Sequence, residues 1–247
     1  MRNSLIVLLI ILLIFTSGCL DDTEKSGKEL TISAAISLSD AFREIGDAFT
    51  NEHPDVKLYF NFGASGTLMR QIEQGAEVDI FASASQREMD FLEQKGFILE
   101  SSRIDFAKNR LVIISPSGVD VEKLVSPEIK RIAVGNPKTV PAGNYAQTFL
   151  MNSGLYDSIK PKLIYAENVR QVMGYVELGE TDAGFVYLSD TIDTDFAVSG
   201  LNDSLYPEIV YPVAVIRGSD STDTAKDFIE YIMGDKGQTI LHKHGFV

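Results

Sequence analysis

Three short stretches of this chain place small and hydroxyl residues at the mouth of an amphipathic run. They are Ala35-Ile36-Ser37-Leu38-Ser39-Asp40, Phe62-Gly63-Ala64-Ser65-Gly66-Thr67 and Val140-Pro141-Ala142-Gly143. Each has the composition of a helix start. The first N–H groups of a helix have no partner within it, and the aligned peptide dipoles put partial positive charge beside them. Such ends hold an oxyanion without any Lys or Arg. If the fold gathers them, the chemistry is capture of a small tetrahedral anion by neutral donors.

Each candidate also has an ordinary structural reading. Ser37 is equally suited to capping a helix. Gly63 and Gly66 flank Ser65, which lets backbone N–H groups turn outward without Cβ interference, but a tight turn before a helix needs the same residues. Pro141 stands where a helix tolerates proline, leaving the Ala142 and Gly143 amides unshielded. Val169 is the first apolar residue after a capping Asn168, so its N–H faces out of a helix start. Tyr187 closes an apolar run and offers a hydroxyl, or is a half-buried aromatic with its hydroxyl in water.

Rival chemistries find less support. A hydrolase nucleophile at Ser65 lacks the G-x-S-x-G elbow, because Thr67 occupies the place of the second glycine. The histidines are His53, His242 and His244 only, none in a motif shaped like a catalytic base. One cysteine and no ligand-spaced histidine pair leave a metal site without donors. Asp182 and Asp190 fit a turn and a cap. Neither a G-x-x-x-x-G-K-[ST] loop nor a G-x-G-x-x-G fingerprint is present.

The elements that must position these residues alternate strand and helix. Strands are predicted at Leu30–Ala35, Val56–Phe62 and Val78–Ala82, with helices over Ser37–Phe49 and Ser65–Gln74. Ser85-Gln86-Arg87-Glu88 has the form of a capping box opening a third helix. The second half repeats the style. Strands are predicted at Arg110–Ser115, Arg131–Gly135, Lys162–Tyr165, Ala183–Tyr187 and Val210–Ile216. Helices are predicted from Pro141, from Asn168 and over Ser221–Met233. The order implies α/β architecture with mostly parallel sheets and two groups of units. Ligands of such sheets sit at the carboxyl ends of strands, where every candidate lies.

The whole chain sets further bounds. Arg2, the unbroken apolar run Leu5–Phe15 and Thr16-Ser17-Gly18-Cys19 read as a secretory signal over residues 1–18, the run being too short for a membrane span. A lone cysteine directly after it resembles a lipoprotein signal, with Cys19 acylated after cleavage; Thr16 stands where Leu is usual. Residues 19–28 read as a polar tether. The folded part is thus expected outside the cytoplasm, with no disulfide within one chain. The chain has 22 Lys+Arg against 35 Asp+Glu and a net charge of −13, which argues against nucleic acid as a partner. It does not argue against an anionic ligand, because exposed charges beyond about 8–10 Å are largely screened at physiological salt.

Taken in order, these residues resemble the extracytoplasmic molybdate-binding proteins of molybdate ABC transporters. The resemblance rests on the segments Ala34–Phe42, Gly63–Ala76, Asp79–Ala84, Asn109–Val112, Val140–Ala146, Asn168–Gln171, Gly184–Asp190 and Tyr211–Val215. It implies a two-lobed periplasmic-binding-protein fold of the second type, each lobe a mixed, mostly parallel sheet flanked by helices. Residues 29–110 with 213–247 would form one lobe and 111–212 the other, the chain crossing near Asn109–Ile114 and Val210–Val213.

The resemblance also implies the ligand, molybdate or tungstate, held by the hydroxyls of Ser37, Ser65 and Tyr187 and the backbone N–H groups of Ala142 and Val169. No cofactor, catalytic residue or directly coordinated metal is implied. The implied partners are a membrane permease and, through Cys19, the outer face of the cell membrane, with the protein itself a monomer. Ile36 replaces a commoner Ala and Phe185 a commoner Ile. The alternatives are a binding protein for another oxyanion, such as sulfate or phosphate, one for ferric iron, and a Ser65-dependent hydrolase.

Overall fold

The computed structural model describes residues 28–192 and 194–247. The expected signal peptide, Cys19 and all of the tether up to residue 27 lie outside the described residues. Ten strands form two five-stranded sheets. The first contains β1 (Lys28–Ala35), β2 (Val56–Gly63), β3 (Ile80–Ala82), β4 (Ile104–Asn109) and β10 (Ile209–Val215), in the order β2-β1-β3-β10-β4. The second contains β5 (Leu111–Ser115), β6 (Ile132–Gly135), β7 (Leu163–Ala166), β8 (Ala183–Tyr187) and β9 (Ala197–Gly200), in the order β7-β6-β8-β5-β9. In each sheet the three strands at one end are mutually parallel. The fourth, β10 or β5, runs against them.

The helices are α1 (Ser39–Glu52), α2 (Ser65–Glu73), α3 (Gln86–Gln94), α4 (Pro141–Asn152), the short α5 (Tyr156–Ile159), α6 (Val169–Glu177), α7 (Thr222–Met233) and α8 (Asp235–Lys243). Helical spacing of apolar residues buries one face of each longer helix. In α1, Phe42, Ile45 and Phe49 are buried. Phe42 and Phe49 meet Phe228 of α7 edge-on, with ring centroids 6.4 and 5.1 Å apart. Such contacts fix the helices on the sheets, so the strand ends stay put.

The sequence reading is adjusted at several points. The run from Ser37 begins as a 3-10 turn over Ile36–Leu38 before α1. Strand β10 pairs with β4 of the first sheet from Ile209 onward. The box at Ser85 is only half formed. Ser85 Oγ accepts the Arg87 N–H at 3.1 Å, but the Ser85 N–H donates to Ser83 Oγ instead of Glu88. Strands β4 and β9 and helix α8 were not anticipated. The two strands are sheet edges with half-exposed side chains, which blurs alternation. Helix α8 contains Gly237, whose hydrogen lies where a Cβ would come within 2.4 Å of the Ile232 carbonyl oxygen.

Candidate functional site

The five residues expected to bind a ligand line one cavity between the two sheets, with about 200 Å³ of non-atom space including its mouth. Ser37 follows β1, Ser65 follows β2, and Ala84, also in the wall, follows β3. On the other side Ala142 follows β6, Val169 follows β7, and Tyr187 ends β8. The carboxyl ends of the parallel strands of both sheets therefore converge on one point. None of the lining residues carries a charge. Larger basins exist, such as the one of about 1220 Å³ at the opposite end of β1. That basin is lined by the charged residues Glu29, Glu77, Asp79, Arg217 and Asp220, with no convergence of helix starts.

Local structure explains why donors point inward. Pro141 is the first residue of α4 and has no N–H, and Val140 supplies no side-chain cap, so the first free amide of that helix belongs to Ala142. In α6 the Asn168 side chain caps the Gln171 N–H at 3.0 Å, leaving the Val169 N–H without an intrahelical partner. Helix α2 begins at Ser65 with no side-chain cap from Ala64.

The hydroxyl-bearing residues Ser37, Ser65 and Tyr187 are buried. Ser65 Oγ accepts the Ala84 N–H at 3.0 Å, which leaves its own proton free to donate. Ser37 Oγ lies 3.1 Å from the Tyr211 hydroxyl. The Tyr187 hydroxyl is buried with no hydrogen-bond partner among the described residues. Burial pushes its phenol well above the ordinary range, so it stays protonated and can donate. An unpaired buried hydroxyl costs free energy, and an acceptor in the cavity would relieve it.

The two sides close tightly. The Gly66 N–H donates to the Thr139 carbonyl at 3.0 Å. A Cβ on Gly66 would fall 2.6 Å from that oxygen, so only glycine permits the approach. At the rim, the Arg170 guanidinium pairs with the Asp40 carboxylate and donates to Ser39 Oγ at 3.4 Å. A cation thus stands next to Val169 while its charge is taken up by Asp40, outside the cavity. Behind Tyr187, Asp190 is buried. Its Oδ2 accepts the Tyr187 N–H at 3.0 Å and its Oδ1 has no partner. Burial raises its pKa to about 6.

Sequence reasoning assigned no role to Tyr211, Asn109, Ala84 or the Asp40–Arg170 pair. Pro212 was the available signal for Tyr211. Proline inside a strand marks an edge or a bulge, and the β10–β4 register shifts between Tyr211 and Pro212. Among the described residues no group of His, Cys, Asp and Glu is arranged to hold a metal ion. No helix among them is long and apolar enough to cross a membrane.

Comparisons with known proteins follow the same line. The family described as bacterial extracellular solute-binding protein matches residues 30–247. A putative ABC transporter substrate-binding lipoprotein of Bacillus subtilis is 32% identical, over 99% of this chain and 98% of that protein. The molybdate-binding protein ModA of Escherichia coli is 35% identical over 88% of each. Among solved structures, the substrate-binding domain of a putative molybdenum ABC transporter from Clostridium difficile is 40% identical, with a TM-score of 0.69, covering 88% of this chain and 97% of that one. The periplasmic molybdate-binding protein of Azotobacter vinelandii, 24% identical and covering 88% and 98%, shares the fold with a TM-score of 0.81. These likenesses support the two-sheet architecture of type 2 periplasmic binding proteins and set aside the hydrolase alternative, because the family is one of solute binders. The chain belongs to the bacterial extracellular solute-binding protein family and is a relative of the molybdate-binding proteins within it.

Proposed function

We propose that this protein captures molybdate, and equally tungstate, outside the cytoplasm and delivers it to the permease of an ABC importer. The observation that carries this reading is a cavity without a charged wall residue, in which the Tyr187 hydroxyl has no hydrogen-bond partner among the described residues. Donors from both sides suit a fully deprotonated tetrahedral dianion. The ligand oxygens accept from Ser37, Ser65 and Tyr187 and from the Ala142 and Val169 amides. Hydrogen phosphate carries a proton that needs an acceptor. Sulfate is smaller and cannot reach all the donors at once, leaving some buried and unpaired at about 1–3 kcal/mol each.

The names of the relatives from E. coli, C. difficile and A. vinelandii support molybdate as the ligand class. The name of the B. subtilis relative supports lipid attachment, here at Cys19, with residues 19–28 as a tether holding a monomer near its permease. The two sheets with their helices act as lobes, residues 29–110 with the C-terminal segment from Ile209 against the rest, and the lobes close over the anion.

The test is a thermal-shift screen of the domain from residue 28 against molybdate, tungstate, sulfate, phosphate and ferric iron. Stabilisation by molybdate and tungstate at concentrations where the others have no effect is the expected result. Stabilisation by sulfate, phosphate or iron instead would replace the reading.

A further inference from the structure

Ser37 is the one proposed donor whose hydroxyl is shared with another hydroxyl, and either oxygen of that 3.1 Å contact can donate. The direction matters. If Ser37 donates to Tyr211, it faces the cavity as an acceptor; if Tyr211 donates, the Ser37 proton is free for a ligand.

The surroundings decide which. The side-chain oxygen of Asn109 accepts the Arg110 N–H at 2.9 Å, and a backbone amide only donates, so the orientation of the Asn109 amide is fixed. Its Nδ2 therefore faces Ser189 Oγ at 2.8 Å and the Tyr211 hydroxyl at 3.4 Å. A carboxamide nitrogen donates and cannot accept. The Tyr211 oxygen thus accepts a hydrogen bond from Asn109 and must donate its own elsewhere. Ser37 Oγ is the acceptor within reach among the described residues. Tyr211 and Asn109 are both buried, so water does not compete. In the opposite arrangement the buried Tyr211 proton would have no acceptor, and a buried unpaired donor is costly.

We propose that Tyr211 is a positioning residue that sets the polarity of Ser37, so that the chain Asn109 to Tyr211 to Ser37 delivers a proton donor to the cavity and makes the site reject oxyanions that carry a proton. This rests on the oxyanion reading above and adds the residue that enforces its selectivity. Ser65 is oriented in the same way by the Ala84 N–H, so both serines turn their protons toward the ligand and favour an oxyanion whose oxygens all accept. Asn109 ends β4 and Tyr211 lies on β10 of the first sheet, and Ser37 stands on the 3-10 turn that follows β1 of the same sheet.

A double-mutant cycle tests it. Molybdate and inorganic phosphate are titrated calorimetrically into wild type, Tyr211→Phe, Ser37→Ala and the double variant. Tyr211→Phe is expected to lower the molybdate-to-phosphate affinity ratio at least about tenfold, because Ser37 is then free to accept. In the Ser37→Ala background it is expected to change molybdate affinity by less than about twofold, because the residue it acts through is gone. An unchanged ratio, or an equal loss in both backgrounds, would overturn the role of Tyr211. Absence of molybdate binding in wild type would instead overturn the ligand assignment. The wiring has its own readout in the ligand-free wild-type protein, which also serves if Tyr211→Phe does not fold. Proton NMR is expected to show a Tyr211 hydroxyl proton slow to exchange and close to the Ser37 β-protons. A rapidly exchanging proton, or one near another acceptor, contradicts the proposal.

Discussion

The two sheets face the same cavity but prepare their donors differently. On the first side each hydroxyl already has a protein partner, Ser65 with the Ala84 N–H and Ser37 with Tyr211. On the second side the Tyr187 hydroxyl has none, and the Asp190 carboxylate behind it is paired at one oxygen only. The first half of the site is therefore finished before a ligand arrives. The second half carries an unpaired Tyr187 hydroxyl that an anion's oxygen would relieve.

The largest effect should come from preventing the halves from meeting. Gly66→Ala places a methyl group 2.6 Å from a backbone oxygen that cannot move aside. Overpacking of about 1–3 kcal/mol in the closed form alone is expected to weaken molybdate binding roughly 10- to 100-fold in calorimetry. The melting temperature of the empty protein should stay nearly unchanged. Equal affinity would show that the halves need not approach this closely.

Next come the two hydroxyls, and here the comparison is sharpest. Ser65→Ala should cost about tenfold in affinity and also destabilise the empty protein by about 1 kcal/mol, because the Ala84 N–H loses its acceptor. Tyr187→Phe should weaken binding about fivefold while leaving the empty protein as stable or more so, since its hydroxyl bonds nothing there. Denaturant unfolding of both empty variants separates the cases. A stability loss for Tyr187→Phe matching that of Ser65→Ala would erase the distinction.

The smallest effect is a pH dependence. Burial raises the Asp190 carboxyl from its ordinary value to about 6. The folded state then holds a proton that the unfolded chain has already released, so this group's stabilisation falls as pH rises from about 4 to 6 and is constant above. Wild-type stability minus that of Asp190→Asn should decline across this window. A difference independent of pH would mean that Asp190 ionises normally.

The strand ends were legible in the sequence for a physical reason. Ser37, Ser65, Ala142 and Val169 each follow a short apolar strand and open a helix with small, hydroxyl or capping residues, and that pattern is local. The edge strands β4 and β9 were not legible, because half-exposed edges lack the alternation that burial imposes. Nor was the relay behind Ser37 visible. Ser37 and Tyr211 are 174 residues apart, and nothing in the neighbourhood of either names the other. The Asp40–Arg170 pair is hidden in the same way, two ordinary helix-start charges until the fold sets them face to face.

The central claim is that neutral donors from both lobes grip a dianion with no basic side chain in contact. Crystals of the protein grown with molybdate, measured at the molybdenum absorption edge, test it most directly. The account predicts one anomalous peak in the cavity, with ligand oxygens within hydrogen-bonding distance of Ser37, Ser65, Ala142, Val169 and Tyr187. A peak elsewhere, or an anion held in the cavity by Arg170, would contradict it.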